Sequence, residues 1–165
     1  MIYSLILTCF SLLACLLFIT LIIATLRSSP APGNYLPIAL FSVLAIFTFG
    51  YALELQCFPI PITLQIISIE HLGISLAPVF VLLIILRFWG VPYQTIRPFL
   101  PFLYAIPIIT LLIVWTDLVI PWMYQEAWMN TSSILPGFEM VPGVWWYIKI
   151  IWNIILLFVC LIILG

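Results

Sequence analysis

A polytopic all-α bundle of about five transmembrane helices is the fold class this sequence predicts, and three observations predict it. First, among 165 residues Lys and Arg number four and Asp and Glu five, so 5% are charged and 67% hydrophobic. A soluble domain carries about 25% charged residues, so most of this surface must face lipid. Second, apolar runs of roughly 20 residues, the length that crosses a bilayer core at about 1.5 Å per residue, recur between short polar or proline-rich breaks. Third, the charges are sorted. Arg27, Arg87 and Arg97 fall in connections at one end of the spans, and Glu54, Asp117, Glu126 and Glu139 fall at or near the other.

The first span covers about residues 2–26 and is closed by Arg27 and the Ser28–Asn34 segment, in which Pro30, Pro32 and Gly33 break a helix. Its apolar stretch precedes its positive charge, the reverse of a secretory signal peptide, so it is expected to be retained. A second span, 35–55, meets Phe58-Pro59-Ile60-Pro61, which forces an extended connection. The third, 62–86, contains Glu70, His71 and Pro78. After a loop from Arg87 to Arg97, the fourth span, 99–116, carries Pro101 and Pro107, each of which removes a helical hydrogen bond and predicts bending. Asp117–Gly143 is the longest connection and too polar to cross. Its Trp122, Tyr124 and Trp128 are expected at headgroup level, where aromatic rings concentrate. The fifth span is 144–164. The whole chain reads as one transmembrane domain in the cell membrane.

The arginine-bearing connections belong in the cytoplasm by the positive-inside rule, because the two opposite loops contain no Lys or Arg. The N-terminus is then outside and the C-terminus inside. Without a basic cluster, nucleic-acid binding is excluded as a class. Cys9, Cys15 and Cys160 lie in apolar spans and Cys57 in a loop, which suggests packing residues and no disulfide framework. One histidine cannot make a bis-histidine haem, and no metal, nucleotide or Ser-His-Asp pattern is visible, so no cofactor is expected and no catalytic residue is assigned.

The candidate functional residues are the polar ones inside the spans. Glu70 lies about eight residues into span 3, roughly 12 Å deep, and must face the bundle or a wet cavity. Gly73 and Ala77 share its face as a small-xxx-small pair that admits a neighbouring helix. His71 aligns with Ser75 and with Pro78, which orphans the carbonyl of Ile74. Glu70 and His71 either fix helix packing by hydrogen bonds or form a ligand or proton site. Lys149, near the start of span 5, either snorkels outward or meets an anion such as Glu54 or Glu70. Trp145, Trp146, Trp152 and Asn153 surround it at helical spacing. The ligand-binding set read from the sequence is Glu54, Glu70, His71, Asp117, Trp145, Trp146, Lys149 and Asn153.

The segments Tyr51–Leu55 (YALEL), Glu70–Gly90 (EHLGISLAPVFVLLIILRFWG) and Trp145–Trp152 (WWYIKIIW), in this order, resemble the seven-helix N-terminal membrane sensor domain found ahead of prokaryotic histidine kinases and diguanylate cyclases. The resemblance covers about residues 36–164 and matches Tyr51, Glu54, Gly73 and Pro78. Where relatives often carry a histidine this chain has Lys149, and Thr116 is followed by Asp117. It implies a signal-input module, non-enzymatic in itself, that binds a small molecule in an outer cavity and acts on a cytoplasmic signalling effector. On this reading the chain is a fragment or truncated relative of a longer receptor. The lipid bilayer and a second copy of the chain are the other expected partners. The alternative reading is a small transport or membrane-assembly protein.

Overall fold

The computed structural model describes residues 2–28, 35–56, 58–116, 122–130 and 137–165. Among the described residues, five helices are long and apolar enough to span a membrane. In chain order the elements are α1 (Ile2–Ser28), α2 (Tyr35–Glu54), α3 (Ile60–Phe88), the one-turn α4 (Tyr93–Ile96), a 3-10 turn Arg97–Phe99, α5 (Leu100–Thr116), strands β1 (Tyr124–Asn130) and β2 (Gly137–Pro142), and α6 (Val144–Leu164). The chain is a multi-pass membrane protein of all-α class, with one addition absent from the sequence reading: an antiparallel hairpin, β1–β2, in the connection before α6.

The longest helix, α3, is the hub. It packs against α2, α5, α6 and β1, while α1 packs chiefly on α2. Two glycines allow the α2–α3 approach. A Cβ on Gly73 would come within 2.5 Å of the Val43 carbonyl oxygen, and one on Gly50 would overlap the Cγ of Glu70. Only a bare backbone fits at either point, which gives physical content to the small-residue face expected on α3. At the Glu54 end, Ser4 donates to the carbonyl of Leu55 at 3.0 Å and Gln56 donates to Thr8 at 3.2 Å, tying α1 to α2.

At the opposite end α3 stops in a Schellman turn. Gly90 adopts φ +73°, its N–H bonds the carbonyl of Arg87, and the N–H of Val91 bonds that of Leu86, both at 3.0 Å. Glycine meets that left-handed requirement without a Cβ penalty. The expected Arg87–Arg97 loop is therefore shorter than its sequence suggests, and the fourth span starts at Tyr93. Pro98 sits in the 3-10 turn and Pro101 in the first turn of α5, where a missing N–H costs no intrahelical bond, so only Pro107 interrupts α5 from inside.

Two apolar clusters follow. Near the arginine end, Leu36, Val79, Leu82, Leu83, Leu103 and Leu156 join α2, α3, α5 and α6. At the hairpin end, Ile67, Val114, Met123 and Tyr124 form a second cluster beneath Trp145 and Trp146. Along α6 the residues at 149, 156 and 160 are buried in one stripe, while Ile151, Ile154, Phe158 and Leu161 are exposed, as a lipid-facing surface requires.

Candidate functional site

The three buried polar groups that meet at the hairpin end come from three separate elements. His71 on α3 is 5% exposed, Lys149 on α6 6% and Tyr124 at the start of β1 8%. His71 Nδ1 lies 2.8 Å from the carbonyl oxygen of Ile67. A carbonyl only accepts, so Nδ1 carries the hydrogen, and in the neutral ring Nε2 is left as an acceptor. Both Tyr124 Oη and Lys149 Nζ lie 3.2 Å from that one nitrogen. Two donors thus converge on a single acceptor, with the Tyr124 ring edge-on to the imidazole at 6.1 Å between centroids.

The hairpin supplies Tyr124 by local means. The register between the strands slips between Tyr124 and Glu126, and such an irregularity re-aims side chains next to it. Backbone bonds from Gly143 to the carbonyl of Met123 at 2.9 Å, and from Trp145 to that of Trp122 at 3.1 Å, then sew the base of the hairpin to the first turn of α6. Tyr124 and Lys149 are consequently held relative to one another by backbone. The ring of Tyr124 is further fixed edge-on to Phe138 across the hairpin, at 5.6 Å.

Lys149 neither snorkels outward nor pairs with a glutamate, and both expectations are corrected. Its partner is His71, and it makes no ion pair with Glu54 or Glu70. The reason is angular. Consecutive helical residues point about 100° apart, so His71 faces α6 while Glu70 faces α2. Glu70 is 4% exposed, its stem lies on Gly50 and its Oε1 has no hydrogen-bond partner. Glu54 approaches the backbone N–H of Phe138 and is close enough to Glu70 for the two carboxylates to influence each other. The polar residues of spans 2, 3 and 5 therefore form two sites, one on each side of α3.

Of the other expected residues, Trp145 packs on the hairpin-end cluster and donates from Nε1 to Thr110 Oγ1 at 2.9 Å, joining α6 to α5. Trp146 packs on the same cluster. Asn153, one turn beyond Lys149, has a buried Oδ1 without a partner, as do Ser75 Oγ and Trp152 Nε1. Asp117 lies outside the described residues.

A groove of about 480 Å³ opens beside this network, between α3, the end of α5 and β1. Leu64, Gln65, Ser68, Trp115, Tyr124 and Glu126 are among its walls. Of the expected ligand residues that are described, none lines it. Tyr124, which does, reads in the sequence as part of an interfacial stretch, because nothing in a loop sequence announces the strand slip that turns it inward. Gln65 and Ser68 were legible only as ordinary polar residues on a helix.

A family model described as the N-terminal 7TM region of histidine kinase matches residues 8–165. The chain belongs to that family. No curated protein and no solved structure matches it. The histidine-kinase membrane region is a multi-pass sensor region, and its five apolar helices account for the lipid-facing surface. The region identified is the N-terminal membrane part of such kinases.

Proposed function

We propose that this histidine-kinase membrane region is a signal-input module oriented with the hairpin outside and the arginine end in the cytoplasm, and that its ligand occupies the groove between α3, α5 and β1. The single observation that carries the reading is the double role of Tyr124, which lines the groove and places its hydroxyl 3.2 Å from His71 Nε2. A molecule that draws the Tyr124 ring toward it alters the sharing of His71 between Tyr124 and Lys149, and so biases how α6 packs on α3. Occupancy shifts the bundle only by its differential affinity for the two arrangements. The walls are mainly apolar and also carry Gln65, Ser68, Gln125 and Glu126, which suits a small apolar molecule with a neutral or cationic hydrogen-bonding end. The output acts on a cytoplasmic signalling effector beyond α6.

The reading is tested by joining residues 1–165, in the longest natural reading frame that contains them, to a cytoplasmic kinase reporter and screening cell extracts. A response that disappears in Ala127→Trp, which fills the groove, and in Tyr124→Phe, with expression intact, supports it. Variants that respond like the parent place the input elsewhere. Solute uptake driven by the unfused chain in vesicles would favour transport instead.

A further inference from the structure

The opposite end of the bundle carries a second cavity, also of about 480 Å³, where the Schellman turn folds the chain back after α3. Leu36, Leu83 and Leu100 make apolar walls. The polar walls are Arg87 and the phenols Tyr35, Tyr93 and Tyr104, and among the described residues no carboxylate lines it. The guanidinium carbon of Arg87 lies 5.8 Å from the ring centroid of Tyr35, and Nη1 approaches the Tyr35 hydroxyl at 3.5 Å. Tyr35 comes from α2, Tyr93 from α4 and Tyr104 from α5, so phenols of three elements line one cavity with the guanidinium.

The depth of the cavity names its environment. The 29 residues of α3 extend roughly 43 Å at about 1.5 Å each, which equals the thickness of a bilayer including its headgroups, about 40–45 Å. Arg87, in the last turn of α3, therefore stands at headgroup level with apolar walls running inward from it. A guanidinium presents its donors in a planar fork that matches phosphate oxygens, and basic pockets between transmembrane helices suit anionic headgroups.

We propose that this cavity binds an anionic phospholipid, with the phosphate on Arg87 and the phenolic hydroxyls of Tyr35, Tyr93 and Tyr104, and an acyl chain along Leu36, Leu83 and Leu100. A free phosphate would gain nothing from the leucines. A choline or ethanolamine headgroup finds no carboxylate for its cation. Because the walls come from α2, α3, α4 and α5, the bound lipid fastens the ends of these helices together.

The full chain in a neutral detergent is titrated with dioctanoyl phosphatidylglycerol, dioctanoyl phosphatidylcholine and glycerol phosphate, with binding read by native mass spectrometry. The expected result is preferential binding of phosphatidylglycerol, weakened about tenfold by Arg87→Gln and also weakened by Tyr104→Phe, but unchanged by Arg97→Gln, whose arginine is not a cavity wall. Tyr104→Phe keeps the test valid if Arg87→Gln does not fold. Equal binding of phosphatidylcholine would overturn the proposal, as would equal losses in the Arg97 and Arg87 variants. Glycerol phosphate binding as tightly as the lipid would replace the lipid with a soluble anion.

Discussion

Lys149 Nζ and Tyr124 Oη stand at the same distance, 3.2 Å, from His71 Nε2, so a lysine from the last helix and a tyrosine from the hairpin share one lone pair. Either donor alone satisfies the imidazole. The stability effects of removing them are therefore expected to be coupled. Lys149→Met and Tyr124→Phe should each cost no more than about 1 kcal/mol, since the first also removes a buried charge in favour of an apolar side chain of similar length. The double variant leaves a buried acceptor unsatisfied and should cost about 1–3 kcal/mol more than the sum. Unfolding in detergent over the four proteins of the cycle measures this, and strict additivity would show that the two donors act independently.

Steric rescue distinguishes the two glycines of the α2–α3 crossing. Gly50→Ala and Gly73→Ala should each destabilise by about 1–3 kcal/mol through overpacking. A Cβ at position 50 meets the flexible stem of Glu70, whereas one at position 73 meets the backbone carbonyl of Val43. Adding Glu70→Ala should restore most of the stability of Gly50→Ala and none of that of Gly73→Ala, read as thermal midpoints.

The exposed face of the hairpin is held by Glu139, which accepts from Trp128 Nε1 at 3.0 Å and from Asn130 Nδ2 at 2.6 Å. Trp128 and Glu139 are direct cross-strand partners. Glu139→Ala should cost the hairpin about 1 kcal/mol. Hydrogen exchange should then quicken in β1 and β2 while the amides of α3 keep their protection. Loss of protection in α3 as well would mean that hairpin and bundle open as one unit.

The orientation is checked by labelling in cells. An impermeant thiol reagent should reach Cys57 from outside, and a cysteine placed at Tyr93 only after permeabilisation. The reverse pattern would invert the bundle and put the groove in the cytoplasm.

Membrane class, helical architecture and family were legible in the linear sequence because each depends on local quantities. Twenty apolar residues must cross or be buried, prolines and glycines break helices wherever they fall, and the family resemblance lives in short segments around Glu54, Glu70 and Lys149. Gly73 as a close-approach point followed from helical spacing alone. The hairpin was not legible: its strands sit in a polar, aromatic connection, and their pairing is a contact between residues distant in sequence.

What only the tertiary structure decided is which polar group meets which. Glu70 and His71 are neighbours in sequence, and charge arithmetic favours a Glu–Lys pair. The 100° step of the helix nevertheless sends the carboxylate to Gly50 on α2 and the imidazole to Lys149 on α6. Tyr124 enters the network only because the strand register slips beside it and backbone bonds fix Trp122 and Met123 to the start of α6. Hydrophobicity summed along a segment dictates that a helix is made. The direction of each side chain around that helix, and the partner waiting there, depends on the rotation of packed helices about one another, which no single segment encodes.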